Sequence, residues 1–243
     1  MKTIACILSY KMPFDAERTV MSLDKQGWKH GEDLFVFENQ DEAAEAKDQN
    51  FFVTHHTGEN LRMGGGFNYI ADHFRGQCDR IWFCTDFEVV YGCPSPRVLS
   101  NVPEDIGWYH PVITDPGHAD YCFPWMMRVN PAGYRDAKMT DSICPLITME
   151  CMEQLRLNND GHVFDKAFWR GWGLDYDTCW QIRQMGKRVV LHDAITVDHK
   201  AFGSYDAGVA PETKDTFRTL AHRAMTERLN EKYGIDWHRK IMA

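Results

Sequence analysis

The first 84 residues alternate short apolar runs with helix-like segments, and this alternation constrains the fold more than any other feature of the chain. Apolar runs at residues 3–8, 34–37, 51–54 and 80–84 have the length of buried strands. The segments between them predict helices over 15–26, 41–47 and 68–74. Because parallel neighbours need crossover connections, this β-α-β-α-β-α-β order predicts an α/β fold with a mostly parallel sheet and helices on both faces.

The second half of the chain is less regular. Residues 92–150 are rich in Pro, Gly and aromatic residues, and they predict loops with a few short strands. Regular patterning returns near residue 168. It predicts a helix over 175–185, strands at 188–191 and 195–197, and a charged amphipathic helix over 211–232.

Composition excludes several functional classes. The chain has 243 residues, of which 44% are hydrophobic, and this suits a globular α/β protein. A net charge of −8 gives no general attraction to nucleic acid. We expect no transmembrane helix, since no apolar run approaches the roughly 20 residues that a membrane span needs. The short apolar start at residues 4–8 predicts a strand rather than a signal peptide.

Eight cysteines are present, and none forms a C-x-x-C pair. A zinc ribbon is therefore not expected. Several cysteines fall in apolar strand-like runs, where a free thiol behaves as a small hydrophobe. We therefore predict reduced thiols and a cytoplasmic location.

Two carboxylates, Asp86 and Glu88, follow the apolar run that ends at Cys84. Residues two apart in an extended segment point to the same side, so these side chains repel unless a cation lies between them. Mg²⁺ and Mn²⁺ prefer such oxygen ligands together with substrate phosphates. The alternative is a solvated acidic turn.

The sequence Gly171-Trp172-Gly173-Leu174-Asp175 opens a predicted helix. Asp175 suits an N-cap position, where the helix dipole favours a carboxylate. It also suits a general base on a glycine loop beside a pocket, with the flat face of Trp172 available to a sugar. The pattern alone leaves both interpretations open.

Other candidate residues also have two interpretations. His199 follows a strand-like run and is either structural or a metal ligand. Gly64, Gly65 and Gly66 precede a predicted helix, where they form either a flexible turn or a phosphate-binding backbone. Their spacing is neither that of a P-loop nor that of a dinucleotide-binding fingerprint.

Taken in order, these segments resemble family 2 glycosyltransferases of the GT-A fold over residues 1–205. "NLRMGGGFNYIADH" is similar to the family's Asn-Gly segment, and "IWFCTDFEVV" looks like its strand leading into the DxD motif. "GWGLDYDTCWQIRQMGKRVVLHDAITVDH" resembles its acidic helix, strand and closing His, and the Gly-Trp-Gly loop is similar to that of β-1,4-galactosyltransferases. The chain departs from the family pattern at Glu88, which replaces an Asp, and at Leu174, which replaces an acid.

The resemblance implies a nucleotide-sugar-binding half at 1–91, an acceptor and catalytic half at 92–205, and a helical extension at 206–243 packed on the same domain. The implied activity is metal-dependent, inverting transfer of a sugar from a UDP-sugar to a hydroxyl. The acceptor is a glycan or a modified nucleic-acid base. A degenerate domain that binds without turnover is the alternative, and a nucleotidyltransferase is disfavoured because no Gly-rich basic loop follows the first strand.

The resemblance also implies individual roles. Asp86, Glu88 and His199 would hold Mn²⁺ or Mg²⁺ on the donor diphosphate, and Asp175 would deprotonate the acceptor hydroxyl. Trp172 would pack on a sugar. The remaining donor contacts would come from Ser9, Tyr10, Glu38, Asn39, Gly64, Gly65, Gly66 and Asn68.

Overall fold

A computed structural model describes residues 1–40, 52–114, 123–129, 133–199, 208 and 210–243. The predicted helix over 41–47 lies outside the described residues.

The described residues form a central sheet in the order β3-β2-β1-β4-β8-β6-β9-β5, with β7 also paired to β9. Strands β1 to β4, β6 and β9 run in one direction, and β5, β7 and β8 run against them. The predicted mostly parallel α/β architecture is therefore confirmed. The strands are β1 Thr3–Ser9, β2 Leu34–Glu38, β3 His55–His56, β4 Arg80–Cys84, β5 Glu88–Tyr91, β6 Ile106–Ile113, β7 Tyr134–Asp136, β8 Leu146–Thr148 and β9 Arg188–Asp198.

Helices cover both faces of this sheet. Along β1, Ile4 and Cys6 face one hydrophobic cluster, whereas Ala5 and Ile7 face the other, because successive side chains of a strand alternate. The helices are α1 Pro13–Asp24, α2 Arg62–His73, α3 Pro96–Ser100, α4 Met149–Asn158, α5 Leu174–Gln184, α6 Lys214–Tyr233 and α7 Trp237–Met242. No described helix is long and apolar enough to cross a membrane, and the seven described cysteines carry free thiols.

The prediction of loops and short strands over 92–150 was wrong at β6. Its eight residues are all buried and lie between β8 and β9 in the sheet. A strand buried on both faces lacks polar alternation, and Gly107 and Pro111 obscure its apolar character. The two predicted strands at 188–191 and 195–197 are one strand, β9, which pairs with β6 across both segments.

The prediction of a glycine turn before α2 was also wrong. Helix α2 begins at Arg62 and contains Gly64, Gly65 and Gly66. A side chain at Gly64 would meet the carbonyl oxygen of Phe168 at 2.5 Å, and one at Gly66 would meet the Leu8 side chain at 2.6 Å. The glycines therefore allow close packing of the helix. Strand β3 is also later and shorter than the predicted 51–54.

Candidate functional site

A cleft of about 740 Å³ opens at the carboxyl ends of β1 and β4. Parallel sheets bind ligands at this edge. The structure brings seven of the predicted site residues into its lining, and they come from both halves of the chain. These residues are Ser9, Tyr10, Asn39, Asp86, Trp172, Asp175 and His199.

Ser9 and Asn39 lie where two parallel strands end side by side. The backbone N–H of Asn39 donates to the Ser9 carbonyl at 2.7 Å. The Asn39 side chain accepts from Leu61 N at 2.9 Å and donates to the Arg62 carbonyl at 3.1 Å, so it joins β2 to the start of α2. By contrast, the buried Ser9 hydroxyl has no hydrogen-bond partner among the described residues. Buried polar atoms are rarely unpaired, which makes this hydroxyl available to a ligand.

Asp86 and His199 meet in the lining of the cleft. His199 Nδ1 lies 2.6 Å from the Asp86 carbonyl oxygen and 3.8 Å from its carboxylate Oδ1. Because a carbonyl only accepts, Nδ1 donates this hydrogen bond, and the lone pair of a neutral ring with this tautomer lies on Nε2. Burial raises the pKa of Asp86, and His199 partly opposes the increase. Within the described chain, Asp86 Oδ2 is buried without a hydrogen-bond partner.

These two residues fit a divalent cation. A carboxylate oxygen and an imidazole nitrogen together suit Mn²⁺ and similar ions, with the remaining positions left for water and phosphate. The Nδ1–carbonyl bond is the kind of contact that fixes the orientation of a ligating His. Over the ranges that the structure describes, no group of three His, Cys, Asp or Glu side chains is already assembled around one point.

Glu88 does not join this pair. It opens β5, and its carboxylate lies 3.3 Å from Arg18 Nε on α1. Phe87, fully buried, separates it from Asp86, and Glu88 is absent from the cleft lining. Of the two carboxylates that the sequence predicted on either side of a cation, Asp86 lines the cleft and Glu88 pairs with Arg18 outside its lining.

The Gly-Trp-Gly loop places Trp172 in the cleft wall. Gly171 and Gly173 have φ of 98° and 89°, values that favour glycine. A side chain would also meet the Met63 sulfur at 2.8 Å or the Phe168 ring at 2.7 Å. The loop therefore needs both glycines, and it holds Trp172 edge-to-face against Phe217.

Asp175 is the second residue of α5 rather than its N-cap, which is Gly173. The carboxylate of Asp175 accepts from the backbone N–H of Tyr176 at 2.9 Å. Burial raises the pKa of Asp175 strongly, and the nearby Asp141 carboxyl raises it further. Like charges in one buried site cannot both ionise easily, so the two acids act as a pair. Leu174, where the family has an acid, is fully buried in the core.

The other predicted donor residues lie outside the cleft lining. Glu38 is buried and accepts from the Lys11 backbone N–H at 2.7 Å, and Asn68 exchanges two hydrogen bonds with the Phe164 backbone. Gly64 donates its backbone N–H to the Trp169 carbonyl at 2.9 Å. Gly65 and Gly66 lie within α2 beside it. The contacts of Glu38, Gly64 and Asn68 are with the protein.

Sequence reasoning missed several polar cleft residues, among them Arg62, Asp141, Ser142 and Arg170. Asp141 and Ser142 directly precede the buried residues that lead into β8. Because β8 runs antiparallel to β4, the residues just before β8 lie beside the residues just after β4, where the backbone N–H of Thr85 donates to the Ile143 carbonyl at 2.9 Å. A polar pair before an apolar run was the available signal, but it has this meaning only once the strand pairing is known.

Comparison with known proteins supports the fold. No family model matches the chain, and no curated protein matches it in sequence. It is similar to the crystal structure of GalNAc-T7 with UDP, GalNAc and Mn²⁺, with a TM-score of 0.59, 12% identity, and coverage of 82% of this chain and 44% of that one. It is also similar to S. aureus TarS, with a TM-score of 0.51, 10% identity, and coverage of 94% of this chain and 44% of that one. The chain thus spans less than half of either protein, and its fold is similar to GT-A glycosyltransferase structures.

Proposed function

We propose that the protein is a metal-dependent inverting glycosyltransferase that moves a sugar from a UDP-sugar to a hydroxyl of a glycan acceptor. The observation that carries the proposal is the meeting of Asp86, His199 and Asp175 in one cleft. The first two offer an unpartnered oxygen and an imidazole lone pair, and the third offers a base with a raised pKa. The neighbour GalNAc-T7 was solved with UDP, GalNAc and Mn²⁺, which accords with the proposed donor and metal.

In this mechanism Asp86 and His199 would hold the cation, which would supply Lewis acidity at the leaving diphosphate when bound. Ser9 and Tyr10 contact the nucleotide at the end of β1. Asp175 accepts the proton of the acceptor hydroxyl as that oxygen attacks the anomeric carbon on the face opposite the diphosphate, which inverts the configuration. Trp172 provides a flat apolar face for a sugar ring.

The test is UDP release from a panel of UDP-sugars with and without Mn²⁺, in the wild type and in Asp86→Asn. We expect metal-dependent release that falls about 100-fold or more in Asp86→Asn, because a Lewis acid stabilises the transition state by several kcal/mol. Calorimetric titration of Mn²⁺ in the presence of UDP checks the metal affinity directly.

Asp136→Asn is the matched control, since Asp136 is exposed and paired with Arg188 outside the cleft lining. Equal release without metal, or unchanged release in Asp86→Asn, would contradict the proposal. Tight UDP-sugar binding with no release or transfer would instead favour the degenerate binding domain. Glu88→Gln in the same assay decides whether Glu88 contributes to metal binding.

A further inference from the structure

Three arginines, Arg62, Arg170 and Arg218, line the cleft, and the proposed metal and base chemistry uses none of them. Two of them, Arg62 and Arg170, share one carboxylate partner. Arg62 lies at the start of α2 and Arg170 lies in the loop before Trp172. Only 14% of the Arg62 side chain and 17% of the Arg170 side chain are exposed. Their positive charges are therefore held inside the cleft of a chain whose net charge is −8.

One carboxylate faces both arginines. Glu212 Oε2 lies 3.2 Å from Arg62 Nη2, and Glu212 Oε1 lies 3.9 Å from Arg170 Nε. At these positions Glu212 Oε1 and Arg170 Nε are buried, yet neither makes a hydrogen bond within the described part of the chain. One negative charge thus faces two positive charges, and part of their hydrogen-bonding capacity is unused. Such a contact leaves a charge incompletely compensated.

The Trp169 ring packs against both guanidinium groups. The Arg170 guanidinium carbon lies 4.1 Å from a Trp169 ring centroid, and that of Arg62 lies 5.7 Å away. Stacking on an aromatic face orients a guanidinium without neutralising it. The arrangement therefore preserves the charge while limiting side-chain freedom.

The backbone of Arg62 is strained. Its φ is 60°, in the left-handed region that disfavours side chains other than glycine. Bonds from Arg62 N to Asn60 Oδ1 at 2.9 Å and from Asn39 Nδ2 to the Arg62 carbonyl at 3.1 Å hold this conformation. Glycine would satisfy the backbone better, so the presence of Arg favours a role for its side chain.

We propose that Arg62 and Arg170 form an anion subsite that takes a phosphate group of a substrate in exchange for the Glu212 carboxylate. The guanidinium fork matches phosphate oxygens, and a phosphate offers more acceptors than one carboxylate does, including one for Arg170 Nε. Ala210 and Pro211, just before Glu212, also line the cleft. Displacement of the Glu212 carboxylate by a phosphate would therefore change the shape of this part of the cleft lining. The subsite rests on the proposed function only in that the cleft binds substrates.

Calorimetric titration of inorganic pyrophosphate into the full chain tests this subsite, with chelator present so that no metal contributes. Loss of a charge-assisted hydrogen bond predicts about tenfold weaker binding in Arg170→Gln and Arg62→Gln. Glu212→Gln removes the competing carboxylate and should bind pyrophosphate about tenfold more tightly. If Glu212 and the two arginines served only stability, Glu212→Gln would not bind pyrophosphate more tightly.

Arg223→Gln is the matched control, because Arg223 is exposed and pairs with Glu227 on α6. Arg62→Gly is a second variant that relieves the backbone strain, so it should keep its melting temperature while losing pyrophosphate affinity. Unchanged or weaker binding in Glu212→Gln, or wild-type binding in both Arg62→Gln and Arg170→Gln, would overturn the subsite.

Competition with UDP then identifies the source of the phosphate. If UDP displaces pyrophosphate, the subsite serves the donor, whereas simultaneous binding of both assigns it to an anionic acceptor. Either result supports the subsite. Pyrophosphate binding is measured without turnover. If the protein transfers no sugar but its variants still show these changes in pyrophosphate affinity, the proposed function fails while the anion subsite stands.

Discussion

Individual contacts decide the chemistry that each cleft residue offers. The Asp86 carbonyl fixes the His199 tautomer, while the Asp86 carboxylate keeps one oxygen unpartnered. Asp175 depends on Asp141 in a different way, because Asp175 is buried and the half-buried Asp141 carboxyl raises its pKa further. The proton affinity of the proposed base is therefore set in part by a residue 34 positions earlier in the sequence.

Asp141→Asn should shift the acidic limb of the pH–rate profile to lower pH. Asp175 must be deprotonated to act as a base, so its raised pKa causes transfer to fall as the pH decreases through that value. Removing the neighbouring carboxyl lowers the pKa of Asp175, and the base stays ionised in more acidic buffer. The measurement is the rate of transfer across pH 4 to 9, a range of about five pH units around the usual pKa values of carboxyl groups.

Asp136→Asn is again the control and should leave the limb in place. If the acidic limb of the pH–rate profile did not move in Asp141→Asn, Asp141 would not influence the pKa of Asp175. Loss of the limb in Asp175→Asn, together with most of the transfer, is the companion result expected for the base.

At the scale of elements, glycines place α2 and the Gly-Trp-Gly loop against each other. Gly64 approaches the Phe168 backbone, and Gly171 approaches the Met63 side chain. Both contacts join the start of α2 to the loop that carries Arg170 and Trp172. The two sides of the cleft are therefore positioned by contacts that tolerate no Cβ atom.

Gly64→Ala should destabilise the protein by about 1–3 kcal/mol, because its Cβ would meet backbone that must shift. Gly65→Ala is the matched control in the same helix. Its Cβ meets only the Leu61 side chain, and the better helix propensity of Ala offsets that contact by about 1 kcal/mol. Urea unfolding of both variants checks this difference. Equal free energies of unfolding would show that the loop adapts to the added methyl group.

The three glycines at 64–66 show why local propensity alone can misplace a helix boundary. Three consecutive glycines have low helix propensity, so the sequence predicts a turn. The helix forms because burying Phe67 and Ile70 against the sheet outweighs that preference, and because glycine is needed where the helix touches the loop. Strand β6 was missed for the related reason that a doubly buried strand has no alternating pattern.

At the scale of the molecule, the C-terminal helices complete the core against α5. Leu229 of α6 and Ile241 of α7 are fully buried in the same hydrophobic cluster as Leu174 and Ile182 of α5. Asp177, two residues after the proposed base, is fully buried, with its carboxylate 2.7 Å from Lys232 Nζ and 2.5 Å from the Tyr233 hydroxyl. The second acid of the Leu-Asp-Tyr-Asp sequence thus attaches α5 to α6.

Asp177→Ala should lower the free energy of unfolding by about 3–5 kcal/mol, because it leaves Lys232 without this partner in a largely buried site. Glu227→Gln, which removes an exposed pair with Arg223, should leave the free energy of unfolding nearly unchanged, because water and salt screen exposed ion pairs. Chemical denaturation measures both. A cost for Asp177→Ala similar to that of the control would mean that hydrophobic packing alone docks α6.

Apolar periodicity and strand-end polar residues are local properties, so the sequence predicted the α/β class, the first strands and the edge of the sheet at which such folds bind ligands. The family resemblance added the roles of Trp172, Asp175 and His199, which the local patterns had left open. Seven residues predicted in these two ways line one cleft: Ser9, Tyr10, Asn39, Asp86, Trp172, Asp175 and His199.

Which of these residues meet depends on contacts that form only in the folded chain. Glu88 pairs with Arg18 outside the cleft lining, and Asp141 lies close enough to Asp175 to raise its pKa. The tertiary structure also joins Arg62, Arg170 and Glu212, which are distant in sequence. Strand pairing and packing join residues across long sequence separations, and no local pattern records those contacts.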